Sequence, residues 1–147
     1  MGDFNDIMYI CIKLDGESRG RLRDLVTEVF NDEYCRLLCD HLTLAFGREC
    51  ELFDMGLIGK KVKIMSGKIA FNDRIAALVV DRGQVEKYGV NNEHPHITLA
   101  IFDHFTQPAY SNQMLGDADE DYETVEFKDV PLELSGEIVS VPKSHVT

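Results

Sequence analysis

The chain has 147 residues, 44% of them hydrophobic, which is enough for one well-packed domain and too little for two ordinary ones. Its 26 acidic and 15 basic residues leave a net charge of -11, which opposes wrapping long DNA or RNA but leaves room for a small anion in a locally positive site. No stretch approaches the roughly 20 apolar residues of a membrane span, and the opening MGDFNDIMYI lacks both the basic start and the apolar run of a secretory signal. The expectation is therefore a cytoplasmic protein with no membrane partner.

Residues 7 to 14, IMYICIKL, are β-branched and aromatic and run into Asp15-Gly16, which predicts a buried strand ending in a turn. Leu22, Leu25, Val26, Val29 and Phe30 then recur at helical spacing, so a helix with one apolar stripe should cover a sheet. The four cysteines, Cys11, Cys35, Cys39 and Cys50, show no CxxC pair and are expected to be reduced and structural. Cys35 and Cys39 would share a face if they lay on a helix, but neither has an evident activating base.

Residues 41 to 46, HLTLAF, alternate polar and apolar. This predicts a strand with His41 and Thr43 on one face and Leu42, Leu44 and Phe46 on the other. Residues 61 to 71 and 74 to 81 read as two further strands, with a turn at Asn72-Asp73. The basic residues of this middle stretch, Lys60, Lys61, Lys63, Lys68, Arg74 and Arg82, are expected to form a solvated strand surface.

Residues 96 to 102, HITLAIF, repeat the alternation, with His96 and Thr98 on one face and Ile97, Leu99 and Ile101 on the other. The polar stretch from 103 to 130 is expected to hold a short helix near 110 to 115, then a solvated acidic loop over 117 to 123. A last strand is predicted over 132 to 141. His94 would share the face of His96 if the strand began early, but Pro95 favours a strand edge or a loop there, and His104 and His145 should lie at the surface.

The chain reads as two related halves. HLTLAF matches HITLAI, KIMSGKI matches LELSGEI, and in each half a strand runs into an aspartate, Asp15 or Asp81. The histidines lie 55 residues apart and the Ser-Gly steps 69 apart, so the second half carries an insertion, which falls in the acidic polar stretch. Two copies cannot propagate a solenoid, so the expected architecture is α+β: a bilobal, duplicated fold of two antiparallel sheets facing a central cleft, with helices packed outside. Lobe one would run over about 1–72 and lobe two over about 73–147. With five His, six Thr and fourteen Leu, chance gives about 0.02 matches to His-x-Thr-Leu, so finding two is informative.

In each motif the imidazole and the hydroxyl two residues on lie about 6 to 7 Å apart on one strand face, close enough to touch one phosphate. Phosphodiester cleavage needs one group to take a proton and another to give one, and imidazole does either near neutral pH. The hydroxyls would donate to the non-bridging oxygens, where charge gathers. No metal or cofactor is called for. A metal site of His41, His94 and His96 lacks the carboxylate or cysteine spacing of zinc or iron centres.

The paired tetrapeptides, HLTL at 41 and HITL at 96 preceded by Pro95, resemble the two signatures of the 2H phosphoesterase superfamily. That superfamily includes RNA-ligase-like 2′-5′ phosphodiesterases, cyclic nucleotide phosphodiesterases and the phosphodiesterase domain of fungal-type tRNA ligases. The resemblance implies a metal-independent phosphoric diester hydrolase acting on 2′,3′-cyclic phosphates or 2′-5′ linkages, with His41 and His96 as the catalytic pair and Thr43 and Thr98 as phosphate ligands. The implied partner is a small nucleotide or an RNA end, met by a monomer. The other reading of these residues is a binding module for nucleotide or RNA phosphate ends without turnover.

Overall fold

The computed structural model describes residues 7–30, 35–91, 93–103, 105–108, 110–116, 121–127 and 132–142. His104, His145 and residues 117–120 of the acidic run lie outside these. The elements follow the sequence pattern closely at first. Strand β1 (Ile7–Leu14) is followed by helix α1 (Gly16–Phe30), the Asp15 side chain accepting the Ser18 amide at 2.8 Å to cap it. On α1, Leu22 and Val26 are buried and Leu25 and Phe30 packed against the core, as the stripe requires.

Next come β2 (Arg36–Leu37), β3 (His41–Phe46), β4 (Lys61–Ser66), β5 (Lys68–Phe71) and β6 (Ile75–Val79). A short helix α2 (Arg82–Val85), strand β7 (His96–Ile101), helix α3 (Tyr110–Gly116), strand β8 (Glu123–Glu126) and the long β9 (Leu132–Pro142) complete the chain. Two sequence expectations change here. The single strand expected over 61–71 is two, because at Gly67 the chain passes from pairing with β9 to pairing with β6 and β8. Cys35 and Cys39 are not on a helix: Cys39 lies between β2 and β3 with φ 51°, in the left-handed region. None of the four cysteines is in a disulfide.

Instead of two sheets, the described strands form one, in the order β4-β9-β1-β3-β7-β6-β5-β8, with β2 paired to β7. β3 and β7 meet at one registered pair, Leu42 with Ile97, the residues between His and Thr in each motif, and β2 adds Arg36 with Ile101 and Leu37 with Ala100. Outward from this junction each arm runs in the same order. The His-x-Thr strand comes first, then the strand ending near Asp15 or Asp81, then a strand with a Ser-Gly step inside it (β9) or just before it (β5), then an edge strand. The arms do not follow a boundary at 72/73, since β9 joins β1 and β4, while β5 joins β6 and β8. Packing against β1 is close at Gly136, where an added Cβ would come within 2.6 Å of the Lys13 carbonyl oxygen.

Both His-x-Thr strands carry a β-bulge at the same place. Along β1, Ile10 pairs with Ala45 and Cys11 with Thr43, leaving Leu44 as the extra residue. Along β6, Ala76 pairs with Ala100 and Ala77 with Thr98, leaving Leu99 extra. A bulge reverses side-chain parity beyond it. Leu44 and Ala45 are therefore both buried while Phe46 turns to the histidine side, 60% exposed. Ile101 likewise leaves the face of Ile97 and Leu99 and joins a second core beneath α3, with Ile75, Ala77, Tyr110 and Met114. The main core, on the opposite face, packs α1 against Ile10, Ile12, Leu42, Leu44, Ile97 and Leu99.

β8 has no counterpart in the sequence reading, because its residues ETVE form a polar, exposed edge on β5 with little apolar pattern to signal a strand. No helix among the described residues is long and apolar enough to cross a membrane.

Candidate active site

Leu42 pairs with Ile97, so the His and the Thr of each motif flank that pair on β3 and on β7. All four side chains line one cleft of about 1220 Å³, together with Tyr9, Phe46, Glu49, His94 and residues of α3. The predicted site residues are thus brought together by a local two-fold relation between β3 and β7.

The two bulges also brace the segments leading into the histidines. The Leu44 carbonyl accepts the Asn91 amide at 2.9 Å, and the Leu99 carbonyl accepts the Leu38 amide at 2.8 Å. Each motif therefore holds the approach to the other. Next to Leu38, the Cys39 amide donates to the Thr98 carbonyl at 3.0 Å, and its thiol points at the Leu99 carbonyl.

The imidazoles sit in different surroundings. His96 is buried, with Nδ1 2.8 Å from the His94 carbonyl oxygen. A carbonyl only accepts, so Nδ1 carries the hydrogen and the Nε2 lone pair is left free. Burial pushes His96 below the ordinary imidazole value; the hydrogen bond to His94 opposes this, and the neighbouring charges of His41 and His94 add to it. His41 is partly exposed, and its Nδ1 lies 3.2 Å from Oδ2 of Asp40. Its ring stacks on Tyr9 with centroids 5.2 Å apart, and Tyr9 in turn stacks on Phe46 at 6.4 Å.

The threonines differ as well. Thr98 Oγ1 lies 3.0 Å from the hydroxyl of Ser111, a wholly buried residue of α3, whereas Thr43 is on the arm that α3 does not cover. His94 lines the cleft from the loop before β7 and packs so closely on the end of α3 that a Cβ at Gly116 would meet its ring at 3.1 Å.

Sequence reasoning missed Asp40, Tyr9, Phe46 and Ser111. An acidic residue directly before the first motif was a visible signal for Asp40. The pairs Leu44-Ala45 and Leu99-Ala100 break the alternation and were a signal for the bulges. The basic residues of the middle stretch stay out of the cleft: Lys63 pairs with Glu133 at 3.6 Å, Arg82 with Glu86 at 3.6 Å, and Arg74 lies 4.0 Å over the Tyr110 ring. Burial pushes the Cys11 and Cys39 thiols up to about 12, so both stay protonated and inert at neutral pH. Among the described residues no three His, Cys, Asp or Glu side chains are grouped to hold a metal ion.

The fungal tRNA ligase phosphodiesterase domain family matches residues 5–139 of the chain. No curated protein matches the sequence. Among solved structures, the crystal structure of E. coli LigT complexed with NADP+ aligns with a TM-score of 0.48 at 17% identity, over 93% of this chain and 94% of that one.

Proposed function

The chain belongs to the fungal tRNA ligase phosphodiesterase domain family, within the 2H phosphoesterases, and from that premise we propose that its cleft opens 2′,3′-cyclic phosphates at nucleotide or RNA ends by two-histidine acid–base catalysis. That it is a cyclic phosphodiesterase follows from the family. The substrate and the residue roles are our reading, and the observation that carries it is the convergence of His41, His96, Thr43 and Thr98 on one cleft.

His96 acts as the base. Burial keeps it neutral, and its free Nε2 lone pair is set by the bond from Nδ1 to the His94 carbonyl. It takes a proton from water as the water oxygen bonds to phosphorus. The bond from phosphorus to the leaving ribose oxygen breaks, and His41 gives that oxygen a proton. The product is a phosphate monoester, and the two protonated states are then restored by exchange with solvent. The hydroxyls of Thr43 and Thr98 donate to the non-bridging oxygens. The local two-fold suits this task, because attacking and leaving oxygens lie on opposite sides of phosphorus and each needs its own proton carrier.

Phe46, turned into the cleft by its bulge and stacked behind Tyr9, offers an exposed aromatic face on which a nucleobase can lie. We read the two arms, matched strand for strand from the junction outward, as the duplicated lobes expected from the sequence repeat. Incubating the protein with a 2′,3′-cyclic nucleotide should yield the corresponding monophosphate. Tight binding of the cyclic nucleotide without any product would replace this reading with that of a binding module.

A further inference from the structure

The two motifs share their register and their bulges, yet their histidines are oriented by different acceptors. His96 uses a carbonyl of its own chain, while His41 uses the carboxylate of Asp40. In an extended strand, successive side chains point to opposite faces. A carboxylate one residue before a strand histidine reaches its ring only where the backbone leaves the extended path.

It does so here. Cys39 adopts a left-handed φ of 51°, an uncommon and strained conformation for a residue with a side chain. The surroundings hold it there: the Leu38 and Cys39 amides are bonded to β7, and the Asp40 carbonyl accepts the Leu14 amide at 3.0 Å. Asp40 is thereby pinned from both sides. Its second carboxylate oxygen, Oδ1, lies 3.5 Å from Nη1 of Arg19 on α1, which leaves Oδ2 for the imidazole.

We infer that Asp40 is a positioning residue that holds His41 in the Nδ1–H tautomer with Nε2 presented to the cleft, and that Arg19 fixes the carboxylate for this task. An ionised carboxylate only accepts hydrogen bonds, so the hydrogen between it and the ring belongs to Nδ1. When the ring is protonated its second proton sits on the nitrogen that remains, Nε2, and that is the proton given to a leaving oxygen. This catalytic consequence rests on the phosphodiesterase reading, but the tautomer itself does not.

The other titratable groups around the His41 ring are Tyr9, stacked on it, and Lys13, its cross-strand partner on β1; Glu49, Glu93, His94 and His96 line the same cleft. Asp40 lies at hydrogen-bond distance from His41 Nδ1, with Oδ2 at 3.2 Å.

Nitrogen-15 NMR of the histidine rings tests the inference without any substrate. In the wild-type protein the neutral form of His41 should carry its hydrogen on Nδ1. In Asp40→Ala it should shift toward Nε2–H, while His96 keeps Nδ1–H and so reports that the fold is intact. With a 2′,3′-cyclic nucleotide, Asp40→Asn should lower kcat about 10- to 10²-fold with KM changed less than about threefold. Asp40→Glu should recover part of that loss, and Arg19→Gln should lose about 2- to 10-fold. A wild-type His41 protonated on Nε2, or a His41 tautomer that Asp40→Ala leaves unchanged, would overturn the inference whatever the activity. If the wild-type protein shows no turnover at all, the phosphodiesterase reading falls and the ring spectra still decide the role of Asp40.

Discussion

Leu44 and Leu99 are the bulged residues of their two strands, and each offers its carbonyl to the segment that leads into the other's histidine. This reciprocal arrangement ties the position of His41 to that of His96. The expectations below follow from it and from the groups around it.

His41→Ala and His96→Ala should each cost about 10²- to 10⁴-fold in turnover of a cyclic nucleotide. Because both act on one transition state, the double variant should lose much less than the product of the two single losses. His41 is partly exposed, so its replacement should change thermal melting little, whereas His96 is buried and hydrogen-bonded and its truncation should also cost about 1 to 2 kcal/mol of stability. A folded His41→Ala protein with wild-type turnover would remove the two-histidine mechanism.

The pH dependence has a defined sign. His96 titrates below the ordinary imidazole value in the folded state, chiefly because it is buried. The ascending limb of kcat/KM, which reports the base losing its proton, should therefore fall below about pH 6.5. The same shift acts on stability. Below about pH 6.5 the unfolded chain takes up the proton that the folded chain resists, so stability falls as pH drops through the window from 6.5 to the lower folded value. His96→Leu should flatten that part of the stability curve, measurable by denaturant melts from pH 7 to 5.

Thr98→Val removes a donor to the phosphate and should lower turnover about 10- to 10³-fold. Ser111→Ala leaves Thr98 in place but frees its hydroxyl from the 3.0 Å contact with Ser111. It should cost about 1 kcal/mol of stability and a smaller, roughly 3- to 30-fold, share of kcat. Steady-state kinetics with parallel melts separate the two effects.

The bulges make a contrast that strict alternation would not. Leu44→Asp and Leu99→Asp place a charge among wholly buried side chains and should destabilise by several kcal/mol, enough to unfold or aggregate the protein. Phe46→Ser should change stability by only about 0.5 kcal/mol. It should instead raise KM for a cyclic nucleotide about 10-fold, by loss of base stacking, while leaving ribose cyclic phosphate without a base unaffected. Equal effects on the two substrates would exclude the stacking role.

The candidate site was legible because it is written twice: two His-x-Thr-Leu strings in matching halves point to one cleft from sequence alone. The faces of Leu42, Leu44, Ile97 and Leu99 were legible for the same reason, since period-2 alternation holds up to the bulge. Beyond Leu44 and Leu99 it fails, and Phe46 and Ile101 change sides, because a bulge arises from how two strands are paired and one strand read alone does not display its partner. The exchange of β5 and β9 between arms was hidden likewise, as pairing over more than sixty residues leaves no local trace. Asp40 was overlooked because its role depends on the turn at Cys39, and a cysteine gives no sign of a left-handed backbone.

β3 itself is joined to β7 by one registered pair, Leu42 with Ile97, beside the four polar side chains, and the rest of the junction is made by β2 and the residues after it, through Arg36 with Ile101, Leu37 with Ala100 and the Leu38 and Cys39 amides. The spacing of His41 and His96 is braced on either side of the Leu42 and Ile97 pair by the crossed bonds from Asn91 and Leu38 to the bulge carbonyls. They work like the arms of a caliper: the opening is set by braces to either side of the joint, and a slackened brace on either strand would alter the span for both.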